Sequence, residues 1–224
     1  MKTILVASTN AHKTEEIQAI FAEPIRWLTL RDFPQAPEVV EDAPSFQGNA
    51  AKKAEALADY AIPFLESLDE TYVLADDSGL EVDALEGAPG VYSARFAHLD
   101  KNIYGNAPDH ANNAKLLNVL ANLPESQRTA RFRCVLALIS LSGLKASRNT
   151  QTQGESRTVF FEGTCEGRIL QAPQGGKGFG YDPLFAPTGF DQSFGELGEE
   201  FKNRLSHRAC ALQRLKHWFN HPHP

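Results

Sequence analysis

Apolar and polar positions along this chain switch between a period of two and a period near 3.6, and the switches mark its elements. Lys2 to Ala7 is a short apolar run with β-branched residues and predicts a buried strand. A polar turn follows, Ser8-Thr9-Asn10-Ala11-His12-Lys13, and then a helical stripe of Ile17, Ile20 and Phe21. Asn10 is placed to cap that helix. Ile25 to Leu30 reads as a second strand. A proline-rich acidic connection, Asp32 to Pro44, carries Glu38, Glu41 and Asp42. Ser45 then caps a helix from Phe46 to Ala61, which Pro63 ends. On it Asn49 and Lys53 are four apart and share a face.

Tyr72 to Ala75 is strand-like and runs into Asp76-Asp77-Ser78-Gly79, where a turn is expected. Gly87, Pro89 and Gly90 shape a loop ahead of Arg95, and Leu99 to Ala107 reads as a mobile polar loop. Asp109 to Leu123 is helical, with Leu116, Leu117 and Leu120 inward. Ala130 to Leu141 is a long apolar strand. Lys145 to Arg157 reads as a polar hairpin tip, and Thr158 to Leu170 as a strand bent at Gly163 and Gly167. Gln174 to Pro183 holds four glycines within six residues. The last helix starts after Ser206 and buries Ala209, Leu212, Leu215 and Phe219; residues 220–224 read as a disordered tail. Strand–helix alternation followed by antiparallel-looking strands predicts an α/β fold with a mixed sheet.

Composition narrows the function. The 224 residues are 42% hydrophobic and 22% charged, the balance of a water-soluble globular protein. A formal net charge of -6 argues against nucleic acid as a partner. Cys134, Cys165 and Cys210 fit no metal spacing and no disulfide framework, and read as reduced residues of a cytosolic protein. The apolar start is too short for a secretion signal, and no run reaches membrane-spanning length.

Candidate chemistry lies in the punctuation. A strand feeding a polar loop and a helix N-terminus makes an anion site, to which Lys13 adds charge, although such a turn also occurs as a plain cap. Asp76 and Asp77 can hold a hard cation together only if the strand turns there, because adjacent strand residues face opposite ways. The glycines of 175–180 let backbone approach a ligand, and Phe179 or Tyr181 can stack on a base. His207 and Arg208 sit in a helix first turn, where cations are electrostatically unwelcome, which suggests an anionic or carbonyl-bearing ligand.

Taken together and in order, these motifs resemble the inosine triphosphate pyrophosphatase family, bacterial enzymes acting on noncanonical purine nucleoside triphosphates. The resemblance rests on Ser8 to Lys13, Phe46 to Lys53, Ala75 to Gly79, Gly87 to Arg95, Gly178 to Pro183 and Ser206 to Arg208. It implies an elongated mixed β-sheet flanked by helices, one domain over residues 1–224 in two lobes with a central cleft, and a cytoplasmic homodimer. It implies Mg²⁺-dependent hydrolysis of inosine, deoxyinosine and xanthosine triphosphates (ITP, dITP, XTP) to monophosphate and pyrophosphate, clearing deaminated purines from the nucleotide pool. By the same resemblance Asp77 is catalytic base and metal ligand, with Asp76 and Glu41 supporting the metal. Ser8, Thr9, Asn10, Ala11, His12, Lys13, Lys53, Ser78, Phe179, Gly180, Tyr181, Asp182, Lys202, His207 and Arg208 match substrate-contacting positions.

One departure stands out. The family usually has glutamate where this chain has Gly48, a glycine that costs its helix about 1 kcal/mol relative to alanine. It leaves open an alternative, a nucleotide-binding sensor impaired in catalysis. A phosphatase of the haloacid dehalogenase type is a further rival, but its paired aspartates near the N-terminus are absent.

Overall fold

Ile4, Leu5 and Val6 have no exposed surface, so the four residues of strand β1 (Thr3–Val6) are held by burial rather than by length. In the computed structural model, which describes residues 1–21, 24–101, 103–142 and 158–221, β1 pairs in parallel with two neighbours. These are β2 (Arg26–Thr29) and β3 (Thr71–Val82), with Thr3 opposite Arg26 and Thr71. The remaining strands are β4 (Thr129–Ser140), β5 (Thr158–Ile169) and β6 (Phe185–Pro187). Their sheet order is β2-β1-β3-β4-β5-β6, and β5 and β6 run antiparallel, so the sheet is mixed as the pattern predicts.

The helices are α1 (Ala11–Ile20), α2 (Phe46–Ala61), α3 (Asp109–Val119), α4 (Phe194–Leu197), α5 (Glu199–Leu205) and α6 (His207–Asn220). Three expected caps are in place. Asn10 Oδ1 accepts the Lys13 N–H at 3.3 Å, Ser45 Oγ the Gly48 N–H at 3.1 Å, and Ser206 Oγ the Ala209 N–H at 3.1 Å.

The structure corrects several expectations. No turn interrupts Asp76-Asp77-Ser78-Gly79; all four lie inside β3, a strand that runs on to Val82 and is buried on both faces from Val73 to Asp77. Gly90–Lys101 is a run of 3-10 turns broken at Arg95, not an open loop. Helices α4 and α5 have no counterpart in the apolar pattern. They are too short to show a period, and Ser193 starts α4 through a capping box with Glu196. The expected hairpin tip at 145–157 lies outside the described residues, as does most of the tail expected at 220–224, but Asn220 is the last residue of α6.

The chain divides into two compact units. The first comprises Met1–Asp77, Val135–Glu162 and Leu212–Pro224; the second, Ser78–Cys134 and Gly163–Ala211. Edge-to-face rings, Tyr72 on Trp218 and Phe219 and Phe161 on Trp218, join strands and α6 in the first unit. In the second, Leu80, Val82, Leu116, Leu120, Phe132, Phe185 and Phe194 share one core. There the buried Arg128 guanidinium donates to the carbonyls of Leu120, Leu123 and Leu170, so its charge is spent on closing the C-terminal end of α3. Among the described residues no helix is long and apolar enough to cross a membrane.

Candidate active site

In the first unit the sequence places a polar turn between a buried strand and a capped helix, and the structure keeps that arrangement. Ser8 Oγ accepts the Asn10 N–H at 3.2 Å, and Asn10 O accepts Thr14 N–H and Oγ1–H. The turn is therefore internally fixed while the first N–H groups of α1 point outward from its start. Thr9 and Ala11 are exposed, and His12 lies on the surface beside Glu15 at 3.6 Å. Lys13 is directed inward: its Nζ meets Asp76 Oδ1 at 2.6 Å, and the Asp76 side chain is fully buried.

The acidic connection of residues 32–44 reaches the same unit's interior. Lys53 Nζ donates to Glu41 Oε2 at 2.9 Å, to the Asp76 carbonyl at 2.9 Å and to Asp77 Oδ1 at 3.2 Å. One helix turn earlier, Asn49 Oδ1 accepts the Ala43 N–H at 2.9 Å, so the shared face of Asn49 and Lys53 clasps residues 41–43. Gly48 makes this possible, since a Cβ there would lie 2.7 Å from the Ala43 methyl carbon. Asp42 pairs on the surface with Lys52.

Because β3 does not turn, Asp76 and Asp77 project to opposite faces and take different lysines. Asp76 lies on Lys13, whereas Asp77 and Glu41 share Lys53. Among the described residues no group of three or more acidic, histidine or cysteine side chains is placed to hold a metal. Glu41 and Asp77 remain, joined through one ammonium, and their ionisation is pushed apart. Burial drives the Asp77 carboxyl up to about 6, against the pull of Lys53 and Lys13, and the neighbouring Glu41 charge adds to the rise. Burial also raises Glu41, but the charge and hydrogen bond of Lys53 outweigh it and hold that carboxyl below its usual value. Burial disfavours the Lys53 charge, yet Asp77 and Glu41 more than compensate, so its ammonium is held firmly. Asp77 Oδ2 is buried and accepts no hydrogen bond among the described residues.

The second unit gathers the other predicted residues. Arg208 is almost fully buried and donates from Nη2 to Ser78 Oγ at 2.9 Å. His207 stacks on Phe132, ring centroids 4.8 Å apart and 14° from parallel. Asp182 Oδ2 accepts the Phe179 N–H at 2.9 Å and Lys202 Nζ at 2.7 Å, an ion pair with only 3% and 2% of its side-chain surface exposed. Lys202 therefore spends its charge on Asp182, not on a free phosphate position. Its Nζ also lies 4.2 Å from the centroid of the half-buried Phe179 ring, with the Arg208 guanidinium at 6.0 Å. Tyr181 is buried and donates its hydroxyl to the Ser93 carbonyl at 2.9 Å, which leaves Phe179 as the ring presented by this loop.

Two positions escape a reading of side-chain chemistry. Gly163, expected only as a bend, is where β5 meets α6: a Cβ there would run into the His207 carbonyl oxygen and the Ala211 nitrogen. The missing side chain seats the turn that carries His207 and Arg208. Asn49, noticed for its spacing, anchors the acidic connection. Strand-glycine placement signals the first; no local signal identifies the second.

Comparison with known proteins gives the family of this chain. The model of the Ham1 family matches residues 4–218. A dITP/XTP pyrophosphatase of Shouchella clausii is 44% identical over 216 residues, 96% of each chain. One of Geobacter sulfurreducens is 44% identical over 217 residues, again 96% of each. Among solved structures, a HAM1 protein from Coxiella burnetii superposes with a TM-score of 0.77 at 32% identity, covering 98% of this chain and 99% of its own.

Proposed function

The chain belongs to the Ham1 family, and from that premise we propose that it hydrolyses deaminated purine nucleoside triphosphates, ITP, dITP and XTP, to the monophosphate and pyrophosphate. The observation that carries this reading is the Glu41–Lys53–Asp77 group. It offers one carboxylate held ionised, one ammonium, and a second carboxyl titrating near 6 with an oxygen left open. Two titratable groups pushed apart in this way divide the roles of charge and base between them.

The donor set fits Mg²⁺. The ion takes oxygen ligands, commonly one or two carboxylates with phosphate oxygens and water completing the shell. Glu41 and Asp77, the latter through its buried Oδ2, which accepts no hydrogen bond among the described residues, would hold it. When bound, Mg²⁺ supplies neutralisation of phosphate charge and a lower pKa for a coordinated water. Everything else falls to the chain's own side chains. Asp77 orients the water and takes its proton. Lys53 keeps both carboxylates in register, and Asp76 keeps Lys13 beside the polar turn, whose N–H groups take phosphate oxygens. In the second unit Phe179 stacks on the purine. His207, Arg208 and the backbone of residues 179–182 read its edge. A 6-keto group accepts hydrogen bonds where the 6-amino group of adenine donates, so donors placed there reject adenine. The three free cysteines suit a reducing cytoplasm; burial pushes the Cys165 thiol up to about 12. A homodimer follows from the family resemblance.

A panel of nucleoside triphosphates with Mg²⁺, with pyrophosphate and orthophosphate measured separately, tests this. ITP, dITP and XTP should yield pyrophosphate at least about 100-fold faster than ATP, a lower bound on polar readout, which can reach about 10⁴-fold or more. Orthophosphate as the product would point to a phosphatase instead. Tight binding without turnover would make the protein a sensor, the reading that Gly48 leaves open.

A further inference from the structure

We propose that Asp109 and Asn113, in the first two turns of α3, are positioning residues that set the base-reading loop by gripping Gly180 on both sides. Asp109 Oδ2 accepts the Gly180 N–H at 2.6 Å, and Asn113 Nδ2 donates to the Gly180 carbonyl at 3.0 Å. Four apart on a helix, the two side chains share a face and reach consecutive peptide groups of the loop. The grip falls where the loop is least determined. Gly180 has φ of +62°, a region glycine enters freely, and a Cβ there would meet nothing within 4 Å, so no close side-chain packing holds this residue. Its neighbours are held by other groups, Phe179 N–H by Asp182 and the Tyr181 hydroxyl by Ser93 O. Without the α3 contacts the 180–181 peptide loses its hydrogen bond to Asn113 and the 179–180 peptide keeps only the Asp182 N–H on Phe179 O, so the loop loosens at Gly180 and the Phe179 ring with it.

The platform is itself fixed. Buried Asn112 accepts the Ala97 N–H at 2.9 Å and donates to Ala94 O and Ala107 O. Lys115 Nζ donates to Phe96 O at 2.8 Å and pairs with Asp100 at 2.6 Å. Adjacent residues of one helix thus tie down the 90–107 segment and the glycine-rich loop. The Asp109 bond carries a full charge and is the stronger of the two contacts to Gly180. The consequence for recognition rests on the reading of Phe179 to Asp182 as the base-contacting loop.

Amide hydrogen exchange at Gly180 in the substrate-free protein, together with KM and kcat for dITP, tests the proposal. Asp109→Ala should speed Gly180 exchange and raise KM about tenfold each, with kcat within about threefold, the loss of one charge-assisted hydrogen bond. Asp109→Asn should restore most of both, and Asn113→Ala, which leaves the helix end untouched, should raise KM in the same direction. Unchanged Gly180 exchange in Asp109→Ala overturns the grip; faster exchange with unchanged KM overturns its role in recognition. Should Asp109→Ala not fold, Asn113→Ala decides by the same two readings. If the wild-type protein hydrolyses no purine triphosphate, the proposed function fails, while the exchange measurement still judges the grip.

Discussion

Asp77→Asn should abolish pyrophosphate release from ITP, by about 10³-fold or more, and at the same time make the metal-free protein more stable at pH 7.5. The two effects share a cause. Burial holds the Asp77 carboxyl near 6 in the folded protein, above its ordinary 3.8. Between these values the folded chain binds more protons than the unfolded one, so stability falls as pH rises through the window. Above about 6 the ionised side chain imposes its full cost, which a shift of about two units puts at no more than roughly 3 kcal/mol. Asparagine keeps the shape and removes the charge, while Lys53 retains Glu41 and the Asp76 carbonyl. Calorimetry in EDTA should show a Tm gain of about 2–8 °C at pH 7.5 that shrinks towards pH 4. Substantial remaining hydrolysis would remove Asp77 from its role, and a lower Tm at pH 7.5 would refute the electrostatic account.

Lys202→Met should cost about 3–5 kcal/mol, because it strands a buried carboxylate rather than merely deleting a contact. Asp182 would keep only the Phe179 N–H among the hydrogen bonds described for it above. A Tm drop on the order of 10 °C is expected, with nucleotide binding weakened through the displaced Phe179 ring. Adding Asp182→Asn should recover at least half of the lost stability, since the second change removes the stranded charge, and a double-mutant cycle measures that coupling. Equal destabilisation of single and double variants would show that Lys202 acts by packing alone.

Sequence pattern carried most of the fold here because strong local signals coincided with the tertiary result. Ser45 before Phe46 and Pro63 after Ala61 bracket α2, and burial of Ile4 to Val6 needs no partner information to predict a strand. Asp76-Asp77-Ser78-Gly79 misled for a physical reason. These residue types favour turns in isolation, but pairing along β3 and burial of Asp76, Asp77 and Gly79 override the preference. The candidate residues themselves were legible as motifs; their partners were not. Nothing local to Lys202 says that it neutralises Asp182, twenty residues away in sequence, or that Asp76 belongs to Lys13 rather than beside Asp77. Such pairings depend on which faces the sheet turns towards each other, and that is decided only when the strands are in register.

The close approach of Ala43 to Gly48 also constrains which side chains position 48 can accept. Restoring the glutamate usual in the family at position 48 would not be a one-step repair. The incoming side chain would wedge the acidic connection away from α2, straining the Ala43–Asn49 hydrogen bond and dislodging Glu41 with it. Positions 43 and 48 are therefore energetically coupled. A glutamate at 48 needs a smaller residue at 43 in the same chain, or a shifted connection.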